Sequence, residues 1–240
     1  DSFETSLETL VLHAPVAYFN SNIHWTFPST PLPRLHTLIL GLSTIYMGEQ
    51  DVALSFFVRQ HNQQLKTLVL RIDSPSFSLP DFFASAGPFP ALRRLAIEQT
   101  WAKGETGQLV VPQHHPSIIL GAPIISHLTL RLQRHLLIPV LRDIQSSNLR
   151  PTIEVLSVSP SHYANDDLTE FEPVITQLLN LVLVTVQTLV EVHLHNFTLA
   201  LSQARELINI LLGAKKLKTF SVAVLDLEPD ILLRAAKHLT

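Results

Sequence analysis

The stretch LVEVHLHNF, residues 189–197, sets Glu191, His193 and His195 at every second position. On a β-strand that alternation turns all three side chains to one face. A carboxylate with two imidazoles is a donor set that zinc or another divalent ion accepts. The same spacing is imposed on any three successive residues of one strand face. The neighbouring segments add no strong donor, since they offer Val155, Ser157 and Ser159 on one side and Thr219, Ser221 and Ala223 on the other. The expectation is therefore that Glu191, His193 and His195 face solvent or a partner, with no metal and no cofactor.

Other candidate chemistry is sparser still. His114 and His115, in QHHPS, are adjacent, and adjacent residues of an extended chain point opposite ways, so they read as a loop pair. There is no G-x-S-x-G nucleophile turn and no phosphate-cradling G-x-x-x-x-G-K, and the chain has only 7 glycines. Cysteine is absent, which removes thiol nucleophiles, disulfides and cysteine–zinc sites. These features predict no catalytic residues and a non-enzymatic protein.

Composition narrows the class further. The 240 residues are 46% hydrophobic and 15% charged, far from a disordered composition. A net charge of −3 predicts no affinity for nucleic acid. Residues 173–190 carry no charge, but they include Gln177, Asn180 and Gln187, start at Pro173 and lack basic flanks. A bilayer span needs about 20 mostly apolar residues. The segment instead reads as a buried helix running into a buried strand, with no membrane partner. DSFETSLETL has neither the basic region nor the apolar core of a signal peptide, and the lack of cysteine fits a reducing compartment. An intracellular location, in cytoplasm or nucleus, is expected.

The elements that must position these residues appear as a repeat. Hexamers LETLVL, LHTLIL, LKTLVL, LRRLAI, ISHLTL, IEVLSV, LVEVHL and LKTFSV begin at residues 7, 35, 65, 92, 125, 153, 189 and 217. All follow aliphatic-x-x-aliphatic-x-aliphatic, with Phe220 the one aromatic exception, and they recur on average every 30 residues. Positions 4 and 6 share a strand face, so stacked copies make a parallel sheet with an aliphatic ladder inside. Parallel strands need crossovers, and helical patterns occupy 51–61, 80–86, 135–147, 172–184, 201–214 and 228–239. Prolines 31, 33, 88, 90, 123 and 151 punctuate the units.

These hexamers resemble the leucine-rich-repeat family in its α/β form, over nearly the whole chain. The resemblance implies a single domain spanning 1–240, an arc of about eight βα repeats with a parallel concave sheet and outer helices. The family's asparagine ladder is missing: the corresponding positions hold Pro15, Ser43, Asp73, Thr100, Gln133, Ser161, Phe197 and Leu225. Lead-ins such as LPRLHTLIL and FPALRRLAI are similar to the repeat region of fungal F-box/leucine-rich-repeat proteins. That likeness implies the substrate-receptor part of an intracellular ubiquitin ligase, with the ligase-docking F-box upstream of Asp1. The first strand has no capping helix before it, so the chain reads as part of a longer protein. A structural or regulatory repeat domain with intramolecular partners is the alternative, and a metal-dependent enzyme using Glu191, His193 and His195 is a third.

In this register, positions 3, 5 and 7 face the concave side. The middle strands bring Lys66, Arg71, Arg93, Arg94 and Arg131 there, with His127 beside them and Glu98 as the main acid. Two readings stay open: a surface salt-bridge ladder, or a basic patch receiving an acidic or phosphorylated peptide of another protein. The two longest units carry insertions whose Trp101 and Tyr163 are either rim anchors for a partner or packed on the sheet edge. A monomer is expected.

Overall fold

The computed structural model describes residues 6–14, 31–42, 48–73, 77, 79–99, 122–146, 152–161 and 172–224. They form β1 (Thr9–Ala14), β2 (Thr37–Leu42), α1 (Gly48–His61), β3 (Thr67–Ile72), α2 (Leu79–Ala86) and β4 (Arg94–Gln99). There follow β5 (His127–Leu132), α3 (Arg134–Ser146), β6 (Val155–Pro160), α4 (Glu172–Thr185), β7 (Glu191–Leu199), α5 (Leu201–Leu211) and β8 (Thr219–Val224). The chain divides into two compact units, Asp1–Ile124 and Ile125–Thr240. In the first, β1 to β4 pair in parallel and in sequence order. In the second, β5 to β8 do the same. The class is α/β, with parallel strands alternating with helices in a repeat-like arrangement.

Within each unit the aliphatic positions of the hexamers bury as a ladder. In the first, position 1 contributes Leu35, Leu65 and Leu92, position 4 Leu38, Leu68 and Leu95, and position 6 Leu40, Leu70 and Ile97, none more than 1% exposed. In the second, Ile125, Ile153 and Leu189, then Leu128, Leu156 and Val192, then Leu130, Val158 and Leu194 do likewise, at 2% or less. Full burial of one such side chain contributes about 1.5–3 kcal/mol. Strands β1 and β8 pair on one side within their units, and there Leu7, Leu10, Leu12, Leu217, Phe220 and Val222 are only half-buried.

Register is pinned where each strand begins. The Glu8 carbonyl accepts from both the His36 and Thr37 N–H groups at 3.1 Å. His36 repeats this toward Lys66 and Thr67, and Lys66 toward Arg93 and Arg94. In the second unit Ser126, Glu154 and Val190 do the same for the unit that follows each. Within each of the two compact units, the residue ahead of one strand thus ties down the start of the next. Three of the lead-ins turn on a proline, at Pro33, Pro90 and Pro123, with Leu32, Phe89 and Ala122 buried beside them. Proline presets the first turn position, which explains its recurrence there.

Of the positions where the asparagine ladder would stand, Asp73, Gln133, Ser161 and Phe197 are among the described residues. Asp73 and Ser161 give their N–H groups to the Leu42 and Leu132 carbonyls, while Phe197 is simply buried. Side chains from the helix ends bond across repeats instead. His61, 1% exposed, accepts the Leu32 N–H on Nε2 at 2.9 Å and donates Nδ1–H to the Phe57 carbonyl at 2.8 Å. Gln64 Nε2 donates to the Leu32 carbonyl at 2.6 Å. Asn62 Nδ2 donates to Ala86, and Thr188 Oγ1 to Ile153 at 2.7 Å. Gly87 follows α2 at φ 78°, a conformation glycine adopts without strain, and a Cβ there would crowd Asn62 Nδ2 at 3.2 Å.

Helix α1 packs on α2, and α4 packs on both α3 and α5. The uncharged segment 173–190 becomes α4 and the approach to β7, with Val174, Ile175, Leu178, Leu181 and Val182 buried. Among the described residues no helix is long and apolar enough to cross a membrane. Helix α5 stops at Leu211, short of the expected 214, because the chain turns to bury Ala214 ahead of β8. The helix expected at 228–239 lies outside the described residues.

Two stability outcomes follow. Leu68→Ala and Leu128→Ala should each cost about 2–5 kcal/mol in urea unfolding, as cavities in a packed core do. His61→Phe preserves ring volume but strands the Leu32 N–H, so a loss of about 1–3 kcal/mol is expected in the same measurement.

Candidate functional site: the exposed strand faces

With positions 1, 4 and 6 occupied by the core, positions 3, 5 and 7 of every strand remain for chemistry. In the first unit they line up as three rows across the strands. Position 3 gives Thr9, Thr37, Thr67 and Arg94. Position 5 gives Val11, Ile39, Val69 and Ala96, and position 7 His13, Gly41, Arg71 and Glu98. An apolar floor therefore separates a hydroxyl row that ends in a guanidinium from a row that ends in an ion pair. Gly41 makes room for its neighbour, since a Cβ there would collide with the His13 ring.

The charged residues expected on this face are placed as follows. Arg71 Nε lies 3.4 Å from Glu98 Oε2, so these register partners form one rung of the expected ladder. Arg94 is exposed beside its register partner Thr67. Lys66 stands one residue ahead of β3, outside the strand rows, and Arg93 likewise precedes β4. A pair that sequence reading did not single out is His36 Nε2 with Glu8 Oε2, at 3.6 Å. Their two positions face each other at consecutive strand starts, a signal present in the hexamer alignment. Trp101, Tyr163, His114 and His115 lie outside the described residues.

The second unit presents a more polar face. Its position 3 row is His127, Val155, Glu191 and Thr219, and its position 5 row is Thr129, Ser157, His193 and Ser221. His127 Nδ1 lies 2.9 Å from Ser126 Oγ, and Arg131 is exposed at position 7 of β5. Glu191 and His193 do come together, with Nε2 of the imidazole 3.3 Å from Oε2 of the carboxylate. The His193 and His195 rings lie 5.8 Å apart and within 4° of parallel. Among the described residues no three histidine, aspartate or glutamate side chains are disposed to hold a metal ion.

A break in the sheet sets the position of His195. The N–H groups of Val155 and Ser161 go to the Ser126 and Leu132 carbonyls on the β5 side. By alternation the N–H of residue 160 would face β7, and Pro160 has none to give. The β6–β7 ladder accordingly ends at Val158 and Leu194, and the β7–β8 ladder skips His195, Asn196 and Phe197 before resuming at Thr198. Asn196 takes φ 58°, the left-handed region that asparagine tolerates better than most residues, and its Nδ2 donates to Ser159 Oγ at 3.0 Å. Phe197 then turns into the core.

On the helix side of the second unit, a groove of about 650 Å³ between α4 and α5 is lined by Leu183, Val186, Arg205, Glu206, Asn209 and Ile210. Ser202 and Gly213 complete its lining. Of the strand rows, Val69, Ala96 and Ser159 are buried, and Arg71, Arg94, His127, Arg131 and His195 are exposed. What the rows can do is offer hydroxyls, imidazoles and guanidinium groups at fixed intervals of about 4.8 Å across the strands.

The bulge yields a measurable outcome. Asn196→Val places a β-branched residue at positive φ, whereas Asn196→Gly does not, so Val should be the less stable of the two by about 1–2 kcal/mol in urea unfolding. No family model matches the chain, and no curated protein matches it significantly.

Proposed function

We propose that the chain is a non-enzymatic protein-recognition scaffold of the leucine-rich-repeat type, which presents the exposed faces of its strands to another protein. The observation that supports this most is the division of labour along each hexamer. Positions 1, 4 and 6 are largely consumed by the core, and nearly every titratable strand residue falls at 3 or 7, on the alternate strand face. Such ordered rows suit contact with an extended surface better than they suit enclosure of a small substrate. The repeat pattern supports the family reading, and the lead-ins LPRLHTLIL and FPALRRLAI support the narrower one. On that narrower reading the domain is the substrate-receptor part of an F-box ubiquitin ligase acting inside the cell.

Site-specific photo-crosslinking tests the proposal. A benzophenone amino acid at Ile39 or Ser157, on the strand faces, should trap a discrete protein from a cell extract. The same group at Arg59 or Asn180, both exposed on helices, should not. Equal trapping at all four positions, or none at the strand positions, would refute a strand-face receptor.

A further inference from the structure

Charge pairing on the first unit leaves a remainder. The strands and strand starts of β1 to β4 carry two acids, Glu8 and Glu98. Each is already engaged, Glu8 with His36 and Glu98 with Arg71. Lys66 and Arg94 form no ion pair among the described residues, and both are exposed. Their backbones touch, because the Arg94 N–H donates to the Lys66 carbonyl at 3.0 Å. The Thr67 hydroxyl stands beside Arg94 in register, and Thr37 continues the row. Asp73, the next acid along this strand, lies past its far end. Arg93 stands at the same corner, its N–H also on the Lys66 carbonyl, and is itself already engaged. Lys66, Arg94 and the Thr67 hydroxyl thus occupy neighbouring positions at the starts of β3 and β4, in a chain whose net charge is −3.

We infer that this corner seats the phosphate of a phosphorylated, extended segment of a partner protein. The stoichiometry favours a single phosphomonoester, which carries about −1.5 to −2 charges at neutral pH and is matched by one guanidinium and one ammonium. A nucleic-acid backbone carries a charge about every 1.7 Å of duplex and calls for a longer run of cations than this face holds. Arg94 supplies paired N–H donors to the phosphate oxygens, Lys66 a second charge, and Thr67 a neutral donor. Beyond them Val69 and Ala96 are buried, and the Arg71–Glu98 pair lies four residues along, about 13 Å away. That distance matches about four residues of an extended peptide. The partner segment therefore carries its phosphate at one end and a polar residue against the ion pair.

This inference rests on the recognition-scaffold reading and names its ligand. The test uses the full chain and a degenerate peptide library fixed around phosphothreonine, immobilised beside the same library with unmodified threonine. Retention on the phosphorylated library alone is expected. Arg94→Gln should weaken it about tenfold or more, the scale of a lost charge-assisted contact, with Thr67→Val weakening it less. Arg59→Gln, on the helix side of the same unit, should change nothing. Both strand variants alter surface groups, and an unchanged urea midpoint would confirm that they fold; Lys66→Gln gives a second, independent reading. Equal retention on both libraries, no retention on either, or retention that survives Arg94→Gln and Lys66→Gln would each overturn the inference. Crosslinking at Ile39 and Ser157 separates this from the broader reading: if it persists while phosphate preference is absent, only the phosphate seat falls.

Discussion

One hexamer cannot bury its own aliphatic side chains, and that single constraint organises the molecule. Leu68, Leu70 and Ile72 lie on one side of a strand only six residues long, and the equivalent residues of the neighbouring repeats help to cover them. The ladder that results forces every copy into one register, since a slip of one residue would turn all three outward. It also decides what is free. Once three positions of the strand are committed to the core, the alternate three are turned away from it at regular spacing. The surface rows are thus a by-product of the packing, available to vary without disturbing it.

Backbone hydrogen bonding enforces the same register by a second route. Within each compact unit, a carbonyl just ahead of one strand takes two N–H groups from the start of the next, and helix-end side chains such as His61, Gln64 and Thr188 satisfy further main-chain groups one repeat away. These bonds replace a regular asparagine ladder with individual solutions, because any side chain of suitable length at a helix end reaches the same carbonyls and amides. Where a donor is missing the ladder stops. Pro160 has no N–H for β7, and the consequence is a strand three residues longer, with Asn196 in a left-handed conformation and the His195 ring stacked on His193.

The parts of this arrangement that could be read from the residues are those dictated by period. Leu68, Leu128 and their equivalents announce themselves by recurring, and so does the pairing of Arg71 with Glu98, which occupy one position in consecutive strands. Lys66 was less transparent: placed by proximity among the basic residues of the face, it stands before the strand, where its carbonyl does the structural work. The bulge was written in Pro160 and Asn196, yet reading it required knowing that residue 160 points its N–H side toward β7 rather than β5. The staples were opaque for a similar reason. His61 follows α1 by helical periodicity alone, and nothing local says that its ring meets the Leu32 N–H 29 positions earlier.

The two units spend their free positions differently, and the difference bears on function more than the shared core does. The second unit fills its middle row with Thr129, Ser157, His193 and Ser221, groups that donate and accept hydrogen bonds without fixed charge. The first fills it with Val11, Ile39, Val69 and Ala96 and sends its charges to the margins. At one margin Arg71 and Glu98 neutralise each other, an arrangement worth little to stability at such exposure. At the other, Lys66 and Arg94 sit with touching backbones and no acid between them. Folding alone gives no reason to place two like charges at adjacent strand starts, where their repulsion is mildly unfavourable. On the phosphate-seat proposal, a dianionic ligand would reverse the sign of that interaction and turn a cost in the free protein into attraction in the complex.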